Sequence, residues 1–203
     1  IQSPLPITAD ILDAMKQACN GWAAVINWNG DYALGGLTSP EMLRILRHVD
    51  LQLVVNALAL DTYKQHNIKA DYWQIGFEDV PDELLPDMPS NDVVWLASMY
   101  NENRRNLDAL LRQFNYALYQ PGDSTQTLYN FGKAKAIYRN AKIAISNNDY
   151  PEQSAFVSNR LFQALAAGGC VVLQEHIEGL DEKLGIDSKE HYIEWSSLPE
   201  LHE

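Results

Sequence analysis

The chain has 203 residues, 46% of them hydrophobic, and a formal net charge of −12 at pH 7. A chain of this length buries one large core or two small ones. The acidic balance argues against binding of nucleic acid, because a phosphate backbone needs a basic surface. It leaves open a small phosphorylated ligand that is held by a few local cations. No run approaches the ~18 consecutive apolar residues of a membrane-spanning helix.

The two cysteines, Cys19 and Cys170, lie in helical or apolar surroundings. We expect both thiols to be buried and not joined in a disulfide, as in a reducing compartment. This favours a cytoplasmic protein.

The first 75 residues alternate predicted helices with predicted strands. Helices are predicted over residues 8–18, 40–48 and 60–66, and strands over 23–28, 51–58 and 71–75. Thr8 or Asp10 caps the first helix, and Ser39 with Pro40 begins the second. Strands that alternate with helices imply a parallel sheet. Asp31 comes directly after the first strand, which places it at a carboxyl end, where open α/β sheets bind ligands.

Residues 76–91 interrupt this alternation with three prolines, five acidic residues and no basic residue. Such a segment makes a poor helix or central strand, so we place a domain boundary here. The expected organisation is a partial N-terminal domain over 1–80, an acidic, proline-rich linker over 81–91 and a C-terminal domain over 92–203. Because the chain starts without a methionine and stops within a starting helix, we expect a fragment whose first domain lacks its earliest strands.

After the linker the alternation resumes. Strands are predicted over 92–97, 116–122, 142–149 and 191–195, and helices within 98–113 and 131–140. The second of these helices carries Lys133, Lys135 and Arg139, which we interpret as a solvated basic face. Asn147 and Asn148 end the third strand, where their amides either hydrogen-bond a nucleobase or form an Asx turn.

The most informative stretch is 158–173, SNRLFQALAAGGCVVL. Ser158 or Asn159 caps a helix with one apolar face, which ends at paired glycines. The apolar strand that follows is typical of a parallel sheet, and we expect 170–174 to be central and buried on both faces. Helix amides, the helix dipole and the Arg160 guanidinium meet at the helix start, which suits an anion or a phosphate. A capped helix, a glycine stop and an apolar strand are also typical of an ordinary α/β unit that binds no ligand.

The stretch resembles the signature of GT-B glycosyltransferases, especially the CgeB-like spore-maturation group, which is roughly S-x-R-x-F-E-A-hydrophobic-A-x-G before an apolar strand. The matching residues are Ser158, Arg160, Phe162, Ala164, Leu165, Ala166 and Gly168. Gln163 stands where the family has a glutamate that binds the donor ribose in many retaining members. A glutamine still forms hydrogen bonds but supplies no charged acceptor. The resemblance implies a GT-B-like α/β fold with two Rossmann-like parallel sheets, the first of them incomplete.

The resemblance also implies a function, the transfer of a sugar from a nucleotide-diphosphate donor to an acceptor that is a glycan, a lipid or a protein. In the family, the strand that matches 92–97 ends in a glycine-serine turn and is followed by a basic residue near the donor phosphates. Here Ala97 replaces the glycine, while Ser98 and the arginines remain. The implied donor and phosphate contacts are Ser98, Arg104, Arg105, Ser158, Asn159, Arg160 and Gln163. Only one of the adjacent arginines can face the ligand, because helix neighbours point about 100° apart.

A catalytic base is needed only if the transfer inverts the sugar's configuration. Asp31 is the best-placed carboxylate for this role. His176, at the end of the strand that follows the signature helix, is the second candidate, although a single histidine in such a loop is often structural.

Other signatures are missing from the sequence. There is no G-x-G-x-x-G, Walker A, H-E-x-x-H, paired C-x-x-C or G-x-S-x-G. The Asp-x-Asp pair by which GT-A transferases hold a metal ion is also missing, which fits a metal-independent GT-B enzyme with no cofactor besides its substrate.

Two non-enzymatic alternatives remain open. Gln163, Ala97 and the short first domain favour a two-lobed module that binds a nucleotide or a partner protein without turnover. A flavodoxin-like or receiver-like signalling domain fits less well, because the sequence lacks a clustered acidic pocket.

Overall fold

The computed structural model describes residues 7–30, 38–74, 76–77, 79–99, 101–120, 131–148 and 156–202. The chain divides into two compact units, Ile1–Ile75 and Gly76–Glu203. Among the described residues, the first unit contains a parallel β-sheet of three strands and the second unit a parallel β-sheet of five strands. The α/β class and the two parallel sheets predicted from the sequence are therefore confirmed. None of the helices in the described ranges is long and apolar enough to cross a bilayer.

In its described ranges, the first unit has a three-stranded sheet, with one helix before its first strand and one helix between each pair of consecutive strands. The strands are β1 (Ile26–Asn29), β2 (Leu51–Val54) and β3 (Ala70–Tyr72), and the helices are α1 (Ala9–Ala18), α2 (Pro40–Leu46) and α3 (Ala59–Gln65). The strand order is β1-β2-β3, and both pairs are parallel. Thr8 caps α1 by accepting from the Ile11 amide, and Ser39 caps α2 by accepting from the Met42 amide, as predicted.

A small apolar core holds the first unit together. Leu46 of α2, Val54 of β2 and Tyr63 of α3 are almost fully buried and belong to one cluster. Burial raises the pKa of the Tyr63 hydroxyl to about 12. The core forms because the inward residues of β2 alternate with outward ones, so that one face of the strand meets the helices.

The described part of the second unit has five strands, and a helix lies between each consecutive pair. The strands are β4 (Asn91–Leu96), β5 (Tyr116–Tyr119), β6 (Ala141–Ser146), β7 (Val171–Glu175) and β8 (Ile193–Trp195). The helices are α4 (Glu102–Leu111), α5 (Phe131–Arg139), α6 (Asn159–Ala167), α7 (Leu180–Leu184) and α8 (Leu198–His202). All neighbouring strands are parallel, in the order β5-β4-β6-β7-β8. Helix α7 was not predicted from the sequence pattern.

Two apolar layers cover the two faces of this sheet. On one face, alternate strand residues such as Val94 and Ala144 pack with Ile137 of α5 and Leu161 of α6. On the other face, strand residues that include Val93, Trp95 and Ile145 pack with α4 and α8. Successive side chains of a strand point to opposite faces. The continuous apolar run of β4 is therefore needed to fill both layers.

Some predictions about strand position and burial were wrong. The predicted central strand, 170–174, corresponds to β7, but β6 lies in the middle of the sheet. Val171 begins β7 at the amino edge of the sheet and is 47% exposed, so the strand is not buried along its whole length. Cys19 is exposed rather than buried, because it lies at the C-terminal cap of α1. Cys170 is half-buried against the α5 and α6 layer.

Candidate functional site

The strand order of the second unit creates a crevice at one edge of its sheet. The chain leaves β4 toward β5 on one side and later returns to form β6 on the other side. In open parallel sheets, ligands bind beyond the carboxyl ends of the strands at such a switch point. Ser98 closely follows the end of β4, and Asn147 and Asn148 directly follow β6, so these predicted residues all lie at this edge.

One of the two adjacent arginines of α4 lies at this edge. Arg104 is 1% exposed, and its Nη1 donates to the carbonyl oxygen of Ser98 at 2.8 Å and to the Ser98 hydroxyl at 3.2 Å. The Asn101 side chain caps α4 by accepting from the Arg104 amide at 2.8 Å, which fixes the first turn. Arg105 is exposed. The pair therefore divides into a buried cation near the crevice and a surface cation.

Asn147 joins three structural elements at the end of β6. Its side-chain oxygen accepts from the Trp95 indole nitrogen at 3.1 Å, and its backbone carbonyl accepts from Arg160 Nη2 at 2.9 Å. Burial raises the pKa of Tyr138 on α5, while the charge of Arg160 partly offsets this effect, so Arg160 also lies near that ring. The Arg160 guanidinium thus links the start of α6 to the carboxyl end of β6.

Asn148 holds the chain that leads into α6. Its side-chain oxygen accepts from the Ser158 amide at 2.9 Å, its side-chain nitrogen donates to the Phe156 carbonyl, and its own amide donates to Glu175 at 3.1 Å. Both Asn147 and Asn148 are buried, and their amides make contacts within the protein. This gives them a structural role, and the proposed contact with a nucleobase stays a prediction.

The start of α6 has the predicted cap. Ser158 accepts from the Arg160 amide at 3.5 Å, and Gly168 ends the helix with a φ of 66°. Such a positive φ favours glycine because it has no Cβ to clash with the backbone. Asn159, the first residue of the helix, is half-buried beside the cap. The structure therefore brings Ser98, Arg104 and Arg160 to the same sheet edge, together with the capped helix start.

The other predicted site residues lie elsewhere. Gln163 is 8% exposed and lines a cavity of about 10 Å³ with Phe77 and Lys135, apart from the contacts of Arg160. His176 follows β7 and is about half exposed, and its Nδ1 lies 3.0 Å from a carboxylate oxygen of Glu194. Asp31 lies outside the described residues. The catalytic roles of Asp31 and His176 stay predictions.

Two of the three basic residues of α5 contact the acidic segment that precedes β4. Lys135 lies 3.0 Å from Asp79 and 3.1 Å from Asp82, and Arg139 pairs with Asp82. Hydrogen bonds from Arg139 and then from Lys135 lower the pKa of the Asp82 carboxyl. Arg139 also donates to the carbonyl of Ala167 at 2.9 Å, near the end of α6. On the basic face that was predicted to be solvated, Lys135 and Arg139 therefore form ion pairs with Asp79 and Asp82.

A second polar feature of this edge was missed in the sequence. A cleft of about 150 Å³, which we call the edge cleft, lies at the carboxyl ends of β6, β7 and β8 beside α4 and α8. Its polar lining includes Asn103, Asn106, Glu175, Trp195, Ser196 and Ser197. The rule that ligands bind beyond the carboxyl ends of parallel strands also applies to Ser196 and Ser197, since they directly follow β8. Within the described ranges, no three His, Cys, Asp or Glu side chains form a group that could hold a metal ion.

Comparison with known proteins gives no family assignment. No protein-family model matches the chain, and no curated protein matches it either.

Proposed function

We propose that this chain belongs to a GT-B-type glycosyltransferase that moves a sugar from a nucleotide-diphosphate donor to an acceptor. One observation carries the proposal. Arg104 and Arg160, on different helices, bind the backbone carbonyls of Ser98 and Asn147, which follow the neighbouring strands β4 and β6. Two guanidinium groups are thereby held at the switch point, where parallel sheets bind ligands. The resemblance of the α6 sequence to the family signature supports the same function.

The chemistry needs positive charge at a fixed place. Cleavage of the bond between sugar and phosphate develops negative charge on the diphosphate leaving group. Groups that are already oriented toward that charge lower the barrier, since they need no reorganisation during the reaction. Guanidinium groups suit this role because they form paired, charge-assisted hydrogen bonds with phosphate. In this proposal Arg160 contacts the leaving group, Arg104 adds positive charge from its buried position, and the nucleotide sugar is a substrate rather than a cofactor.

Thermal unfolding with a panel of nucleoside diphosphates and nucleotide sugars tests the proposal. A ligand at one hundred times its dissociation constant adds ~2.7 kcal/mol to the free energy of unfolding, which raises the melting temperature visibly. Release of sugar from the stabilising donor is then measured with and without candidate acceptors. The Arg105→Ala variant serves as a control for the loss of positive charge, because it removes a surface cation from α4, the helix that carries Arg104. If no nucleotide or nucleotide sugar raises the melting temperature, the proposal is wrong.

A second candidate is a module that binds a nucleotide or a partner without turnover. The position of Gln163 favours it. This residue replaces the family's glutamate, and it lies in a separate small cavity. A donor ribose would then lack its usual charged acceptor. Binding of a nucleotide sugar without any release or transfer of sugar would support the module over the enzyme.

A further inference from the structure

We propose that the edge cleft binds an uncharged, monosaccharide-sized polyol, and that the transferred sugar is therefore a neutral hexose. The first part stands on the cleft itself, whereas the second rests on the proposed transferase function. The cleft lies within the second unit and differs from the small cavity at Gln163.

The size of the edge cleft fits one sugar ring. Its volume is about 150 Å³. A site for one water molecule needs roughly 10–15 Å³ by the same measure. The cleft therefore has room for several water-sized groups, which is enough to seat one sugar ring.

The polar lining of the edge cleft suits hydroxyl groups. The lining includes Asn103 and Asn106, whose amides both donate and accept hydrogen bonds, and the hydroxyl residues Ser196 and Ser197. The Ser197 hydroxyl accepts from the Glu200 amide at 3.4 Å and can still donate to a ligand. A polyol likewise carries groups that donate and accept at once. Most binding sites combine such oriented polar groups with an apolar surface. Here Leu107 and neighbouring apolar residues supply that surface.

Trp195 adds an unsatisfied donor to this lining. The residue is 5% exposed, and its indole nitrogen finds no hydrogen-bond partner among the described residues. A buried donor without a partner is costly, and such groups in native proteins usually have an explanation. A ligand hydroxyl that enters the cleft would supply the missing acceptor after a small shift of the ring.

The edge cleft has one carboxylate among its lining residues. Glu175 contributes a carboxylate to the lining, and its Oε2 accepts from the Asn148 amide at 3.1 Å. The remaining polar groups of the lining are neutral amides, hydroxyls and the indole. A carboxylate accepts hydrogen bonds from sugar hydroxyls, but it repels a uronic acid or a sialic acid. The chemistry therefore fits a neutral sugar.

The position of the edge cleft connects it to the proposed donor site. Asn147 lines the cleft, and its carbonyl also binds the Arg160 guanidinium at 2.9 Å. The Arg160 cation and the polar edge cleft thus share one residue at the sheet edge. A nucleotide sugar has the matching order, an anionic diphosphate attached to a sugar ring.

Saturation-transfer NMR with methyl glycosides tests the cleft without any nucleotide. Methyl glucoside, galactoside and mannoside are compared with methyl glucuronide on the wild type, on Ser196→Ala and on the matched surface control Ser90→Ala. We expect at least one neutral glycoside to bind, the glucuronide to bind at least about tenfold more weakly, equivalent to ~1.4 kcal/mol, and binding to fall in Ser196→Ala only. Glu175→Gln should bring the glucuronide closer to the neutral glycosides.

The outcomes separate the inference from the proposed function. Absence of glycoside binding, equal binding of the glucuronide, or binding that Ser196→Ala and Glu175→Gln leave unchanged would overturn the inference. If nucleotide diphosphates bind and glycosides do not, the transferase proposal stands and the cleft assignment is wrong. If glycosides bind as expected and no nucleotide does, the cleft remains a polyol site and the transferase proposal fails. In that case the neutral-donor part of the inference fails with it.

Discussion

Replacement of Arg160 by alanine tests the central claim about the donor site. The Arg160 guanidinium donates to the Asn147 carbonyl at 2.9 Å. Asn147 is only 3% exposed, so removal of this donor should lower the free energy of unfolding by ~1–3 kcal/mol. If the guanidinium also binds the donor diphosphate, the loss of a charged hydrogen bond should weaken binding by ~1.5–3 kcal/mol. This corresponds to roughly a 10- to 150-fold rise in the dissociation constant.

Two measurements on the same proteins separate these effects. Calorimetric titration gives the affinity for the nucleoside diphosphate, and thermal unfolding gives the stability. Arg105→Ala is the matched control, since it makes the same change in net charge at an exposed position. If Arg160→Ala lowers the melting temperature but binds the nucleotide as tightly as Arg105→Ala does, then Arg160 is only a structural link between α6 and β6.

Three further predictions follow from burial and pairing. Arg104→Ala should lower the free energy of unfolding in urea by ~2–4 kcal/mol, because it leaves a cavity and removes charged hydrogen bonds. Arg105→Ala should change that free energy by no more than ~0.5 kcal/mol. Equal effects of the two substitutions would contradict the burial of Arg104. A thiol reagent at pH 8 should label the exposed Cys19 quickly and Cys170 slowly, because burial raises the pKa of the Cys170 thiol to about 11; two fast phases would show that Cys170 is misplaced. Asp82→Asn should lower the melting temperature at pH 7, because Arg139 and Lys135 lower the pKa of this carboxyl. The contribution is present above the ordinary pKa of 3.8 and is lost as the pH falls through the lower folded value. A difference in melting temperature that does not shrink as the pH falls below 3.8 would refute this reasoning.

The fold was accessible from the sequence because its signals are local. Caps at Thr8, Ser39 and Ser158 and the glycine stop at Gly168 mark helix ends within a few residues. Apolar runs mark strands, and their alternation with helices leaves a parallel sheet as the natural arrangement. The order of the strands is a different kind of information. It depends on which crossovers pack best over the whole sheet, so β6 rather than β7 could take the central place.

The contacts of individual side chains were harder to predict from the sequence, although the burial of Arg104 could have been predicted. Arg104 lies three and seven positions before Leu107 and Leu111, which are buried on one face of α4. That spacing predicts a buried arginine, whereas Arg105 lies off this face. The partners of Gln163 and Lys135 could not be found this way, because they come from α5, α6 and the segment before β4 together. Such contacts depend on how separate elements pack.

The net charge of −12 does not conflict with an anionic ligand at this edge. At physiological ionic strength, exposed charges more than ~8 Å apart are largely screened from one another, so distant carboxylates weaken local binding little. The carbonyls of Ser98 and Asn147 would by themselves direct negative partial charge toward the crevice, but Arg104 and Arg160 bind those same oxygens at 2.8 and 2.9 Å. Each arginine therefore reverses the local charge where the strands end. In the proposed function, the acidic surface would slow the approach of a nucleotide, while these two cations would govern how tightly it is held.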